Sequence, residues 1–379
     1  MERVRIPNEA TYSPVSLIEV ALSAPILSRV LLGATLPGQL LQTAALGVYA
    51  ASSAQDWLER LGVRKIDFLR EFGADVHHLT PMPREVREQE MRVLAERVND
   101  GYVPTRIPRA ELAVEVDRHL TEYIASITGQ RVETSTEVRS VSLLKVLFPF
   151  ALGACDFLSG DVAIFRDTGI FEPHVITHEF CHRKGYYKEL EAQALAYFAL
   201  SASGEPVLVQ SALSERLHRH LRVLAGEKPE VFGELVEDVG LRRELRVHFL
   251  KVRPQLGPVS HPVATAMRAM YDARMRLTGQ NGLSDYDLGF TNFLYTYETS
   301  AAARRLPPPG SALHAAERAA PPPPPPLPPR ERGESILPNL GCCATAGSAV
   351  LPLSLLGRGG RGVRALSGRG VNPGCCGCR

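Results

Sequence analysis

His178 and His182 stand four residues apart, with Glu179 directly after the first, in the run His178-Glu179-Phe180-Cys181-His182. On a helix this spacing projects both imidazoles from one face, where they can hold one zinc ion. Glu179 is turned toward the side of that pair. There it can take a proton from a water whose pKa the metal lowers, and later pass it to a leaving group. A zinc hydrolase needs a third protein ligand, and two carboxylates, Glu189 and Glu191, follow closely. They lie about 200° apart on a helix, so only one can face the metal. Glu189 shares its face with Ala192, Gln193 and Ala196, small enough to allow close approach to the histidine helix. Glu191 shares its face with Ala194, Leu195 and Phe198, a bulkier and more core-like surface. The expected ligands are therefore His178, His182 and Glu189, with Glu191 as the alternative and Gln193 placed to orient an imidazole. His174, one turn before His178, offers a second clamp, but that pairing leaves Glu179 outside the ligands. His174 is instead expected to line the cleft or cap the helix start, and Cys181, pointing away, to be a buried, inert thiol.

The elements that must position these residues can be read around them. Pro173 can open the histidine helix, Val175, Ile176 and Phe180 give it a buried side, and Gly185 can close it. Upstream, 83–98 and 108–127 each begin with a proline and then space apolar residues at three and four, as helices do. Between 131 and 146, β-branched and apolar residues suffice for one or two strands. Asp161 to Phe165 reads either as an edge strand beside the cleft, to which an extended peptide can add itself, or as a plain structural strand. Beyond the site, 206–224, 241–251, 262–278 and 285–297 read as helices. No oxyanion-stabilising group is identifiable; Tyr271, Tyr286, Tyr295 and Tyr297 lie on late helices that can reach back to the site, though tyrosines at helical spacing are more often core.

The 379 residues, 45% hydrophobic and 22% charged, suit one large globular domain with an appendage. The 43 basic and 41 acidic residues are intermixed, which excludes a dedicated nucleic-acid footprint. Only Cys155 and Cys181 fall in the part that reads as folded, too few for a disulfide framework. The first residues lack the pattern of a secretory signal. From Val30 to Gln55 there is no charge. That stretch reads either as a membrane-spanning helix or as a buried helical hairpin turning at Pro37-Gly38. At Leu306 the composition breaks into polyproline and then a Gly/Arg/Cys-rich tail with no packing pattern, read as disordered.

The run His178 to Leu200 resembles an uncharacterised bacterial family, domain of unknown function 3810, membrane-anchored and regarded as zinc-peptidase-like. His178, Glu179, His182, Gly185, Glu189, Glu191 and Ala192 match its HExxH, glycine and ExEAN pattern; Gln193 stands where asparagine is usual. A looser similarity covers Leu147 to Val162, and the whole resemblance spans Trp57 to Ala303. It implies a gluzincin-like fold and a membrane-associated setting.

The expected fold is α+β and mostly helical: an apolar helical segment over 1–56, a zincin-like catalytic domain with a small sheet over 57–305, and a tail over 306–379. The expected function is a Zn2+ metallopeptidase of a bacterial cell, membrane-associated or cytoplasmic. Its ligands are His178, His182 and Glu189, its general base is Glu179, and its substrate is a peptide or protein. A catalytically silent, zinc-containing binding protein at a membrane is the alternative.

Overall fold

A computed structural model of the chain describes residues 2–140, 145, 150–226, 228–252 and 260–305. The tail from 306 onward lies outside the described residues, as do 147–149 of the looser similarity. The described body is mostly helical, with two small two-stranded sheets.

The helix Glu172–Arg183 carries the histidines at the centre of the body, and every one of its residues is buried. Against it pack the helices Arg109–Thr128, Glu189–Ala202 and Pro206–Ala225. Two apolar cores flank it. One gathers Ile176 and Phe180 with Phe72, Phe198, Phe293 and Tyr297; the other gathers Phe171 with Leu217, Leu221, Phe232 and Phe249. Burial of each such side chain contributes about 1.5–3 kcal/mol.

A helix buried on all sides leaves its end carbonyls and its charged residues to be satisfied within the protein. Arg183, fully buried, donates to the carbonyls of Gly160, Ser135 and Glu137. Lys184 pairs with Asp117 at 2.8 Å and donates to Thr121, Thr134 and the Val132 carbonyl. Both cations sit at the C-terminal end of the helix, where its dipole favours positive charge. They tie that end to Thr121, to the segment 132–137 and to Gly160.

Strand β1, Glu2–Arg5, pairs in parallel with β2, Gln130–Glu133. The first residues thus join the body, although composition groups them with the apolar segment. Asn8 extends the attachment, bonding Asp56, the Ser159 carbonyl and the Ser135 amide. Strand β3, Gly153–Cys155, pairs antiparallel with β4, Val162–Ile164. The expectation of a free edge at 161–165 is overturned. Beyond β3, Arg139 bridges the other side of β4, its amide bonding the Val162 carbonyl and its carbonyl taking the Ile164 amide. With both sides used and all three residues buried, β4 has no edge to offer a peptide.

The helical hairpin is present, as Leu17–Leu32 and Leu36–Leu61. Its turn falls at Gly33–Thr35 rather than Pro37-Gly38. Gly33 has φ +62°, Thr35 caps the second helix by accepting from the Gly38 amide, and Pro37 lies inside the first turn, where its missing N–H costs nothing. Nor is the hairpin buried: Ile26, Val30, Leu31, Leu36, Leu40 and Leu61 are exposed, because nothing else among the described residues covers that face. No helix of the described residues is long and apolar enough to cross a membrane. The expected helices recur within a few residues of their read bounds, except that 285–297 divides into a 3-10 turn, Leu283–Tyr286, and a helix, Leu288–Thr299. Pro229–Asp238, which buries Phe232 and Val236 four residues apart, was not among the expected helices.

Candidate metal centre

Pro173 occupies the first turn of the histidine helix and Gly185 ends it, both as the sequence suggests. Gly185 adopts φ +93°, and the Tyr186 amide reaches back to the Cys181 carbonyl while the Gly185 amide takes that of His182. This αL ending turns the chain sharply into the next helix. A side chain at 185 would also collide with Lys65 Nζ, which donates to the Gly185 carbonyl at 2.6 Å.

The turn brings Glu189, first residue of its helix, over the histidine face. Glu189 Oε2 lies 3.1 Å from His178 Nε2 and 3.3 Å from His182 Nε2, and the two Nε2 atoms are 3.2 Å apart. Zinc held tetrahedrally at about 2.0–2.1 Å from each ligand separates its ligand atoms by roughly 3.3–3.4 Å, so the triangle has the dimensions of three such ligands. Tautomer chemistry agrees. His182 Nδ1 is 2.7 Å from the Tyr186 carbonyl, so that nitrogen carries the proton and the Nε2 lone pair points into the triangle. With His182 Nδ1 held by that carbonyl, its Nε2 is free to ligate beside His178 Nε2 and the Glu189 carboxylate, and the residues present fit a zinc ion.

The electrostatics of the metal-free site follow from burial and this crowding. Burial alone would lower His182; the neighbouring carboxylates, Glu189 foremost, overcome it and push the imidazole up to about 9. Glu189, against its own burial, is held well below the usual carboxylate range by His182 and the hydrogen bonds of both imidazoles. Glu179, buried beside the triangle, moves the other way: desolvation raises it, and the histidines offset only part of that.

Strand β3 passes so close to Glu179 that a Cβ at Gly153 would lie 3.2 Å from Glu179 Oε1, 2.9 Å from Ile164 Cδ1 and 3.1 Å from the Ala163 carbonyl. Glycine at 153 is what permits the strand to lie against the general-base candidate.

The other candidates divide. Glu191 turns away to Lys188, 2.9 Å distant. Gln193 donates to Glu215 Oε1 at 2.8 Å and not to an imidazole, because Glu215 from the neighbouring helix reaches it first. His174 neither lines the cleft nor caps the helix: it is fully enclosed, 3.9 Å from Glu215, and burial lowers it to about 4. Cys181 is fully buried, and burial pushes its thiol up, as an inert core cysteine requires.

Two tyrosines read as core belong to the site instead. The Tyr271 hydroxyl donates to Glu189 Oε1, the oxygen not directed at the histidines. Tyr286 shares that hydrogen-bonded group, its ring 6.1 Å from that of His178. Gln280 Oε1 accepts from the Glu189 amide at 2.8 Å. All three come from a segment about 80–100 residues beyond Glu189 in sequence, with no local motif to mark them. Only Tyr297 among the four tyrosines is wholly core.

A second group within ligating distance, Glu115, His119 and Glu205, is partly exposed. Arg118 already contacts both Glu115 and His119, which places a cation there without a metal.

Residues 169–295 match the family described as a protein of unknown function, DUF3810. The match takes in the histidine helix, Glu189 and the tyrosine segment, and is narrower than the 57–303 span of the resemblance. No curated protein and no solved structure matches the chain.

Proposed function

We propose that this protein is a zinc-dependent metallohydrolase that cleaves peptide bonds. The observation that carries the reading is the triangle of His178 Nε2, His182 Nε2 and Glu189 Oε2 with a buried carboxylate, Glu179, beside it. Zinc bound there supplies a Lewis acid that brings the pKa of a coordinated water down to about 7.

The chain's residues do the rest. Glu179 takes up the proton of the attacking water and returns it to the leaving amine. Its raised proton affinity suits that exchange, since a general base works best with a pKa near the operating pH. The Tyr186 carbonyl holds the His182 tautomer, and Tyr271 holds Glu189 Oε1 so that Oε2 faces the histidines. Fully enclosed apolar neighbours such as Ile176 and Phe180 hold the histidine helix rigid beneath.

Purified protein should carry about one zinc per chain and release amines from a peptide library; zinc content far below one equivalent removes the hydrolase reading. If zinc is present but the library is untouched, the silent binding protein is the better description.

A further inference from the structure

The metal triangle is bordered by a closed circuit of contacts. The Phe157 ring stands edge-on to His182, centroids 5.4 Å apart. The Arg274 guanidinium lies 4.6 Å from the Phe157 centroid and 5.4 Å from that of Tyr271. Tyr271 in turn bonds Glu189, whose Oε2 is 3.3 Å from His182. The guanidinium is thus one aromatic ring away from a metal-ligand candidate by either route.

Arg274 differs from the other arginines around the centre. Arg183 is spent on three carbonyls, Arg219 on Glu215 and Asp287, and Arg276 on Asp272. Arg274 is exposed, and among the described residues no carboxylate pairs with it. Asp156, next to Phe157 in the chain, accepts from the Tyr49 and Ser159 hydroxyls. Helix geometry explains the placement: Tyr271 and Arg274 are three residues apart and share the face toward the site, while Asp272 and Arg276 pair on another. Two ring faces hold the cation by cation–π attraction, and among the described residues no carboxylate takes its N–H edge, the edge that grips a carboxylate through two parallel bonds.

We infer that Arg274 is a specificity-determining residue that binds a carboxylate of the substrate, so that the centre acts on peptides presenting a negative charge close to the bond cut. The inference rests on the peptidase reading. The carboxylate can come from a free C-terminus or from an acidic side chain, and the two are separable by experiment.

Fluorescently labelled Ala/Gly peptides are prepared in four forms, with a C-terminal acid or amide and an internal Glu or Gln. Their affinities are measured by anisotropy on the zinc-loaded Glu179→Gln protein, and their kcat and KM on the zinc-loaded native protein. At least one carboxylate form should bind on the order of tenfold more tightly than its neutral partner, with the difference residing in KM. The acid–amide pair reports a terminal carboxylate and the Glu–Gln pair a side chain. Arg274→Gln should abolish the discrimination, Arg274→Lys restore part of it, and Arg276→Gln leave it intact. Equal affinity for all four peptides, or discrimination that survives Arg274→Gln, overturns the inference. Discrimination in binding with no peptide cleaved would sustain the role of Arg274 while removing the peptidase reading on which its catalytic meaning depends.

Discussion

Replacing Glu179 by glutamine separates the metal from the chemistry, because the amide keeps the shape of the side chain and loses only its proton exchange. Glu179 is not among the three converging ligand atoms, so zinc stoichiometry and affinity should be nearly unchanged. Loss of a positioned general base typically costs 10²–10⁴-fold in rate, and that is the expected fall in kcat/KM.

The structure adds a consequence for stability. Burial raises the Glu179 carboxyl above its ordinary value of 4.5, so its charged form is penalised in the fold. The penalty is absent below about pH 4.5, where both states are protonated, and grows as pH rises until the folded carboxyl ionises. Each tenfold change in proton affinity is worth about 1.4 kcal/mol. For a body of this size that corresponds to roughly 2–4 °C in Tm per kcal/mol. Metal-free Glu179→Gln should therefore melt above the metal-free native protein at pH 7, with the gap closing toward pH 4. Calorimetry of the two metal-free proteins over that range, with zinc titration and peptide assays, checks all three points. A variant that loses zinc as completely as His182→Ala, or keeps more than about a tenth of the native rate, refutes the assignment of Glu179.

Glu189→Ala should weaken zinc binding far more than Glu191→Ala, read by chelator competition; the reverse order would move the third ligand to Glu191. Below about pH 9 zinc must displace the proton that His182 carries in the metal-free site, so apparent affinity should drop close to tenfold for each pH unit lowered. The same elevation stabilises the metal-free fold fully below 6.5, and that stabilisation is lost as pH rises through about 9, so metal-free Tm should decline across this window. Pulsed titration of zinc against pH that shows no such slope would mean His182 is not a ligand. Gly153→Ala forces β3 against backbone at Ala163, and should cost about 1–3 kcal/mol and lower kcat while zinc still binds; unchanged kcat would show that β3 does not set the place of Glu179.

The sequence alone was sufficient for whatever depends on neighbours along the chain. Spacing on one helix put His178 and His182 together, Gly185 marked the turn, and the small residues beside Glu189 distinguished its face from that of Glu191. The hairpin was legible as an alternative to a spanning helix, because Pro37-Gly38 dilutes the apolar run; its turn was misplaced, since proline there begins a helix rather than a loop, and its expected burial fails, since no other described segment covers its apolar face. What depends on the packing of distant segments was not legible. Tyr271, Tyr286, Gln280 and Arg274 have periodicities indistinguishable from those of core or surface helices, and only the fold lays their segment across Glu189. In the same way Arg139 closes the side of β4 that local alternation left open, and Glu215 claims Gln193. Helical and strand periods encode which side chains share a face, whereas the partner of that face is chosen by burial and hydrogen bonding summed over the whole molecule.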